Sequence, residues 1–153
     1  MNPLNFDEYF MELAYIEAQK SNEKNEVPVG AIIVIDDKVV SQGYNQPISQ
    51  NDPTSHAEIN VIRNASKNIG NYRLAGASMY VTLEPCAMCY GAIVHARISR
   101  LVFGAYDPKT GACGSALELH EQACFNHTPK ITGGVLEKKC SSLLKDFFKD
   151  KRS

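Results

Sequence analysis

The apolar residues at the start of the chain follow a helical repeat and then change to the pattern of strands. In the first twenty residues the repeat predicts an amphipathic helix with the apolar stripe Phe6, Tyr9, Phe10, Leu13 and Ala14. Residues 29–35 and 39–40 are rich in β-branched side chains, and the polar residues 36–38 between them predict a tight hairpin turn. The chain therefore opens with one helix and two strands.

Helical and strand-like patterns alternate further along the chain. Residues from 55 onward predict a second helix with Thr54 or Ser55 as its N-cap. Residues 79–83 alternate as a strand, and Pro85 suits the first position of a third helix. Residues 101–103 predict another strand, and a closing helix has the apolar positions Leu136, Cys140, Leu143, Leu144, Phe147 and Phe148. This order predicts a layered α/β architecture. No linker or repeat divides the chain, so we expect residues 1–153 to form a single domain.

The composition is that of an ordinary globular protein. Hydrophobic residues make up 44% and charged residues 22% of the 153 positions. The acidic residues Asp7, Glu8 and Glu12 conflict with a secretion signal. The longest apolar stretch, residues 27–35, is far shorter than the roughly twenty residues of a membrane span. We therefore expect a soluble, cytoplasmic protein, in which five cysteines favour free thiols and metal ligation over disulfides.

The net charge of −1 conceals an uneven distribution. Residues 1–96 carry six Lys and Arg against eleven Asp and Glu, a net −5, whereas residues 97–153 carry ten against six, a net +4. A basic C-terminal part can bind an anionic partner, although a solvated surface explains the same pattern.

The strongest chemical signal is a split metal-binding pattern, in which His56-Ala57-Glu58 is followed by Cys86 and Cys89. A structural zinc site uses four protein ligands, whereas a catalytic site uses three and leaves one position for water. Both parts of the pattern begin predicted helices, where the helix dipole favours anions and eases thiolate formation. A carboxylate two residues from a ligand, as Glu58 is, can move the protons of a water that the metal activates. The pattern therefore predicts hydrolysis at an open zinc site.

Each part of this pattern also has a simpler explanation. Glu58 alone is typical of an acid in the first turn of a helix. A lone Cys-x-x-Cys occurs in redox sites and in structural zinc knuckles. A closed structural site would require a fourth ligand, for which the candidates are His95, His120, His127, Cys113, Cys124 and Cys140. The sequence contains no second Cys-x-x-Cys and no His pair, which favours the open site.

His-x-Glu followed by Pro-Cys-x-x-Cys is the known signature of zinc-dependent nucleobase deaminases, tRNA adenosine deaminases among them. Further segments carry the same resemblance, namely Asn45 and residues 27–31, 52–54, 71–74, 102–105 and 107–112. Over about residues 26–148, the sequence resembles bacterial tRNA-specific adenosine deaminases of the zinc-dependent cytidine/deoxycytidylate deaminase superfamily.

This resemblance implies a fold and an activity. The fold would be a three-layer α/β/α cytidine-deaminase-like fold with a central mixed sheet of about five strands. The activity would be hydrolytic deamination of the wobble adenosine in a tRNA anticodon to inosine by zinc-bound hydroxide. The enzyme would be a homodimer that binds a tRNA anticodon stem-loop and one Zn²⁺ per subunit, with no organic cofactor and no membrane association.

The resemblance also implies roles for individual residues. By motif position, His56, Cys86 and Cys89 would hold the zinc and Glu58 would shuttle protons. Asn45 would hydrogen-bond the flipped base. The residues implied at the substrate are Asn45, Ala57, Leu83, Glu84, Asp107, Lys109, Thr110 and Phe148. An anticodon loop is already single-stranded, which lowers the cost of extruding its base.

The end of the chain combines basic and aromatic residues. Phe147 and Phe148 lie among the basic residues Lys145, Lys149, Lys151 and Arg152. This mixture suits phosphates and stacked bases. Both phenylalanines also fit the apolar stripe of the closing helix, so the sequence leaves open whether they bind RNA or fill the core.

Two features depart from the family pattern, and two rival functions remain. Tyr90 follows Cys89 where a small residue is expected, and the chain is slightly acidic although tRNA is polyanionic. Deamination of a free base or nucleotide would use the same metal pattern, but residues 71–74 and 107–112 favour tRNA. The rival outside the enzymes is an RNA-binding module with a structural zinc, which the substitution Glu58→Gln would distinguish.

Overall fold

Helices and strands alternate along the chain in the computed structural model, which describes residues 3–152, with side chains described for residues 6–151. The helices are α1 (Pro3–Glu23), α2 (Ala57–Ile69), α3 (Ala87–His95) and α4 (Glu137–Arg152). The strands are β1 (Gly30–Ile35), β2 (Lys38–Tyr44), β3 (Ser78–Leu83), β4 (Arg100–Ala105) and β5 (Lys130–Thr132). A 3-10 turn covers Leu119–Glu121.

The strands form one mixed sheet in the order β2-β1-β3-β4-β5. The β1 strand pairs antiparallel with both β2 and β3, whereas β3, β4 and β5 run parallel to one another. The predicted mixed sheet of about five strands is confirmed. Strands β3 and β4 are buried along most of their length, as expected for parallel strands covered on both faces.

The predicted hairpin joins β1 and β2 through a two-residue turn. Asp36 and Asp37 have φ angles of 51° and 62°. Positive φ at both central residues is the requirement of a type I′ turn, whose twist matches that of the flanking strands, and Asp tolerates this conformation better than most residues. The sequence predicted a tight turn here but assigned Lys38 to it, whereas Lys38 begins β2, which extends to Tyr44 beyond the predicted residues 39–40.

Helices cover both faces of the sheet. On one face, Tyr80 of β3 packs against Phe10 of α1, and Gly104 of β4 lies against Cys140 of α4. Tyr80 pairs with Val102, so Tyr80 and Gly104 share that face. On the opposite face, Gly43 of β2 lies against Val61 of α2, and α2 in turn contacts α3. The architecture is therefore the expected three-layer α/β/α arrangement.

The buried stripe of α1 is rotated relative to the prediction. Tyr9 is 58% exposed, whereas Phe10, Met11, Ala14 and Ala18 are buried. The small residues Ala14 and Ala18 let α1 approach β1 so closely that a Cβ at Gly30 would lie 2.8 Å from the Cβ of Glu17. Packing against the sheet therefore selects the small side chains of α1, and Tyr9 lies outside the core. Within residues 3–152, no helix is both long and apolar enough to span a membrane.

Candidate metal centre and active site

Several predicted functional residues come together at one edge of the sheet, where β3 and β4 end and β2 ends beside them. Glu84 donates its backbone N–H to Ala105 O at 2.8 Å, which continues the pairing of β3 with β4 by one residue. Directly after it, the chain turns at Pro85 into α3. The carboxyl ends of parallel strands are the usual position of functional sites in α/β proteins.

The helices α2 and α3 begin at metal-ligand residues. His56 is the N-cap of α2 and Cys86 is the N-cap of α3, both with extended backbone. Their carbonyls accept the first helical hydrogen bonds, from Asn60 N at 3.0 Å and from Tyr90 N at 2.9 Å. The positive ends of both helix dipoles therefore point at one place, which favours anionic ligands there.

Two boundary predictions were wrong by one or two residues. Thr54 and Ser55 do not cap α2, because the Thr54 hydroxyl bonds Asp52 at 2.7 Å and the Ser55 hydroxyl bonds Asn60 at 3.1 Å. His56 consequently precedes the first turn of α2. Pro85 lies two residues before the first residue of α3, where its carbonyl accepts a hydrogen bond from Ala112 N at 2.8 Å.

The side chains of His56, Cys86 and Cys89 form a compact cluster, called here the ligand cluster. Their ligand atoms all lie within 4.8 Å of one another. Nδ1 of His56 is 3.7 Å from Sγ of Cys86 and 3.5 Å from Sγ of Cys89. A tetrahedral zinc, with Zn–N of about 2.05 Å and Zn–S of about 2.3 Å, places nitrogen and sulfur about 3.5 Å apart. Imidazole and thiolate are also ligands that suit zinc, so the residues fit this ion.

No fourth His, Cys, Asp or Glu joins the ligand cluster within the part of the chain that the structure describes. The remaining candidates from the sequence were His95, His120, His127, Cys113, Cys124 and Cys140. Cys113 and Cys140 are buried, but their sulfurs do not lie among the ligand atoms that come within 4.8 Å of one another. Three protein ligands and a free position are typical of a catalytic zinc site.

The pKa values within the ligand cluster favour binding of a cation. A hydrogen bond from the Cys89 thiol, assisted by His56, lowers the pKa of Cys86 to about 4 against the effect of burial. The same hydrogen bond and burial raise the pKa of Cys89, which keeps its proton. Hydrogen bonding to Cys86 raises the pKa of His56. The cluster therefore favours a thiolate at Cys86, and a bound metal would displace the remaining thiol proton.

Glu58 lies in the first turn of α2, two residues after His56. The residue is 4% exposed, and burial raises the pKa of its carboxyl to about 7. A carboxyl with a pKa near neutrality can both accept and donate a proton at the pH of the cell. The arrangement can therefore perform general acid and base chemistry beside a metal.

Comparison with known proteins agrees with this chemistry. The family model of the cytidine and deoxycytidylate deaminase zinc-binding region matches residues 4–105, about two thirds of the chain. The chain belongs to this family. It is a zinc-dependent deaminase, and the family resemblance inferred from the sequence is confirmed.

Relatives of this deaminase match it over nearly its full length. The tRNA-specific adenosine deaminase of Haemophilus influenzae is 51% identical over 148 residues, covering 96% of this chain and 86% of the relative. That of Bacillus subtilis is 44% identical over 146 residues, covering 95% and 91%. A solved structure from a study of A-to-I editing by tRNA:A34 deaminases at the wobble position has a TM-score of 0.87 and 46% identity, covering 89% of this chain and 99% of that one.

Three further predicted residues lie near the ligand cluster. Two of them are at the same edge of the sheet, and the third is next to His56 in the sequence. Asn45 follows β2 and is 8% exposed, and its carboxamide makes no hydrogen bond to any other described residue. Ala57, between His56 and Glu58, is buried, and Leu83 is half-buried at the end of β3. The unused amide of Asn45 is available to a polar ligand.

Asp107, Lys109 and Thr110 lie in a loop that follows β4 by one residue. The Asp107 carboxylate accepts hydrogen bonds from Lys109 N, Thr110 N and the Thr110 hydroxyl, at 3.1, 3.2 and 2.8 Å. These contacts form a turn that leaves Lys109 and Thr110 exposed. The loop therefore presents a cation and a hydroxyl to solvent at the same edge as the ligand cluster.

The two phenylalanines of α4 have different environments. Phe147 is 9% exposed, with Lys151 5.5 Å above its ring, and Phe148 is 45% exposed. Lys145 and Lys149 are exposed around them, and the side chain of Arg152 lies outside the described residues. The two rings meet edge to face at 5.4 Å. Phe147 is thus buried beside the main core cluster, whereas Phe148 faces solvent.

The sequence did not reveal the structural roles of three buried residues near this edge of the sheet. Tyr90 is fully buried, and its ring meets Phe125 edge to face at 5.4 Å, so the large side chain fills space beneath a later loop. Glu26 and Glu84 are buried carboxylates that accept backbone N–H groups of loops. The residues predicted at the substrate included Glu84, but its oxygens are occupied inside the protein. In the sequence, only the position of Glu84 between a buried strand and Pro85 indicated that its carboxylate has a structural role.

Proposed function

We propose that this deaminase converts the wobble adenosine of a tRNA anticodon to inosine by hydrolytic deamination. The observation that carries the proposal is the open ligand cluster with buried Glu58, in a chain 51% identical to a tRNA-specific adenosine deaminase over almost its whole length. In the reaction the C6–N bond of adenine breaks and a C6–O bond to water forms. Ammonia leaves, and no redox change occurs.

We propose that His56, Cys86 and Cys89 hold the zinc through Nδ1 and the two sulfurs. When bound, the zinc supplies a Lewis acid that lowers the pKa of a water to about 7. The chain contributes two thiolates and a neutral imidazole, so the centre is formally neutral. These groups lie at the N-terminal ends of α2 and α3, where the positive ends of the helix dipoles stabilise the thiolates.

Glu58 is the proton shuttle of the proposed reaction. Its carboxylate takes a proton from the attacking water and gives it to the ring nitrogen N1. It then takes the proton of the new hydroxyl group on C6 and gives it to the amine, which leaves as ammonia. Burial raises the pKa of Glu58 to about 7, which suits both directions of transfer. Because the side chain is almost fully buried, the protons it carries are shielded from bulk water.

We propose that the flipped adenine is oriented by groups at the rim of the ligand cluster. The free carboxamide of Asn45 can both donate to and accept from the base edge. The backbone of Ala57 and the side chain of Leu83 would bound the pocket. The exposed residues Lys109, Thr110 and Phe148 would contact phosphates, ribose and stacked bases of the anticodon loop.

We propose a homodimer in the cytoplasm, with residues 1–153 forming a single deaminase domain. The single domain is supported by the sheet, because helices from both ends of the chain, α1 and α4, cover the same face of it. The dimer is tested by the mass measured in light scattering.

The substrate is tested with short RNA. The purified protein is incubated with an anticodon stem-loop carrying adenosine at the wobble position, with the same stem-loop carrying that adenosine elsewhere in the loop, and with free adenosine, cytosine and guanine. We expect inosine only in the first RNA. Turnover of a free base or nucleoside, without turnover of the RNA, would favour the free-base rival.

A further inference from the structure

Glu84 connects the segment that carries Cys86 to the loop formed by residues 107–115. The residue is 2% exposed and stands between the end of β3 and Pro85. Its Oε1 accepts a hydrogen bond from Asp107 N at 3.1 Å, and its Oε2 accepts from Cys113 N at 2.9 Å and from Ser115 N at 3.1 Å. The Ser115 hydroxyl also donates to Oε1. A group that only accepts, as an ionised carboxylate does, matches these three backbone donors.

The 107–115 loop is shaped around this carboxylate. A Cβ at Gly111 would lie 2.6 Å from Oε1 of Glu84 and 2.6 Å from the carbonyl oxygen of Asp107. Only glycine allows the backbone to pass so close to the buried carboxylate. Ala112 N then donates to Pro85 O at 2.8 Å, so the loop is also tied to the residue before Cys86.

We propose that Glu84 is a positioning residue for the RNA rather than a residue that touches it. It holds the 107–115 loop, and with it Lys109 and Thr110, in register with the ligand Cys86 before any RNA arrives. This role rests on the proposed function, in which the loop contacts the anticodon. A loop that is already placed costs less entropy to order on binding, so Glu84 acts mainly on the affinity for RNA.

The geometry predicts which contact fails in Glu84→Gln. If the new NH₂ group replaced Oε2, it would face the N–H groups of Cys113 and Ser115. If it replaces Oε1, it faces only the N–H of Asp107, because the Ser115 hydroxyl can turn and accept from it. The glutamine therefore takes the second orientation, which keeps the Cys113 and Ser115 contacts and leaves Asp107 N without its acceptor.

The first test follows amide hydrogen exchange by NMR in the zinc-loaded protein. In Glu84→Gln we expect exchange at Asp107 to accelerate about fivefold or more, the ratio that one net hydrogen bond represents, with smaller changes at Cys113 and Ser115. Zinc content should equal that of the wild type. Unchanged exchange at Asp107 would overturn the positioning role, and this measurement needs no RNA.

The second test is steady-state kinetics on the wobble-adenosine stem-loop. We expect KM to rise about fivefold in Glu84→Gln while kcat stays within about twofold. Ser115→Ala removes one donor at an exposed residue that does not threaten folding, and its KM should rise less, in the same direction. A fall in kcat with unchanged KM in both variants would contradict the proposal.

Asp7→Asn is the matched control for loss of a buried carboxylate. Asp7 is 4% exposed and lies against Arg100 at the opposite end of β4. Its substitution should lower Tm and leave KM unchanged. An equal rise of KM in Asp7→Asn would show that the effect of Glu84→Gln is general destabilisation. A wild-type protein inactive on the stem-loop would contradict the proposed function, whereas the exchange at Asp107 judges Glu84 separately.

Discussion

Sγ of Cys89 lies 3.5 Å from Nδ1 of His56, although the two residues are 33 positions apart. They meet because the start of α2 and the start of α3 lie together at one edge of the sheet. His56 is the N-cap residue of α2, and Cys89 lies in the first turn of α3. The ligand cluster is thus a property of two helix starts, and its geometry depends on how both helices pack on the sheet.

Glu58→Gln should abolish most of the activity and leave the metal in place. Glutamine has nearly the same shape as the glutamate but cannot shuttle a proton, so we expect turnover to fall by about 10²–10⁴-fold. Zinc content by mass spectrometry and Tm should remain close to the wild type. Wild-type turnover in this variant would exclude Glu58 as the proton shuttle.

Cys86→Ala should remove the zinc and destabilise the protein. With one thiolate gone, only His56 and Cys89 remain, and the binding free energy that the metal adds to folding is lost. The matched control is Cys124→Ala, because Cys124 is an exposed free thiol outside the ligand cluster. Only the first variant should lose zinc and show a lower Tm. Equal zinc in both variants would contradict the assignment of the ligands.

Phe147→Ala should lower stability, whereas Phe148→Ala should weaken RNA binding. Removing the buried ring of Phe147 should cost about 3 kcal/mol of unfolding free energy, measured in urea. Phe148 is 45% exposed, so its loss should cost little stability but should raise KM for the stem-loop about tenfold through a lost stacking platform. Phe148 would be excluded from the RNA surface if KM did not change.

The ion pair of Asp7 and Arg100 should make the free energy of unfolding depend on pH in the acidic range. Arg100 contacts both carboxylate oxygens, at 2.6 and 2.7 Å, and Tyr80 donates to one of them at 2.9 Å. Burial opposes ionisation of Asp7, but these hydrogen bonds outweigh it and hold its pKa below the ordinary 3.8. The stabilisation is therefore present above that value and is lost as the pH falls through the lower pKa of the folded protein.

Urea unfolding between pH 2 and pH 7 measures this contribution. Asp7→Asn should reduce stability by ~3 kcal/mol at neutral pH, because Arg100 is left without its partner. The difference between the variant and the wild type should shrink below about pH 4, where Asp7 of the unfolded chain becomes protonated, and should be lost below the lower pKa of Asp7 in the folded protein. A constant difference across the whole pH range would mean that the charge of Asp7 does not stabilise the fold.

The elements that the sequence predicted best are those governed by local rules. The type I′ turn at Asp36 and Asp37 and the helices α2 and α4 follow from turn chemistry and periodicity. The strand β5 was not located, because its three residues are too short to show a pattern. The rotation of α1 depends on the close approach to Gly30, which no residue of α1 by itself reveals.

The ligand cluster could be inferred from spacing, whereas its surroundings could not. His56, Cys86 and Cys89 belong to a recognisable pattern, and the structure brings their ligand atoms together. The role of Glu84 depends on backbone N–H groups between 23 and 31 residues later in the chain. Contacts of a side chain with a distant backbone leave no signature of residue type, so only the folded structure reveals them.

The most direct measurement for the central claim uses total tRNA as the substrate. The purified protein and its Glu58→Gln variant are each incubated with tRNA that lacks the modification, and adenosine-to-inosine changes are read by sequencing. We predict inosine at the wobble position of one or a few tRNAs with the wild-type protein, and none with the variant. No inosine with a fully zinc-loaded wild-type protein, or equal inosine with the variant, would contradict a tRNA adenosine deaminase that works through Glu58.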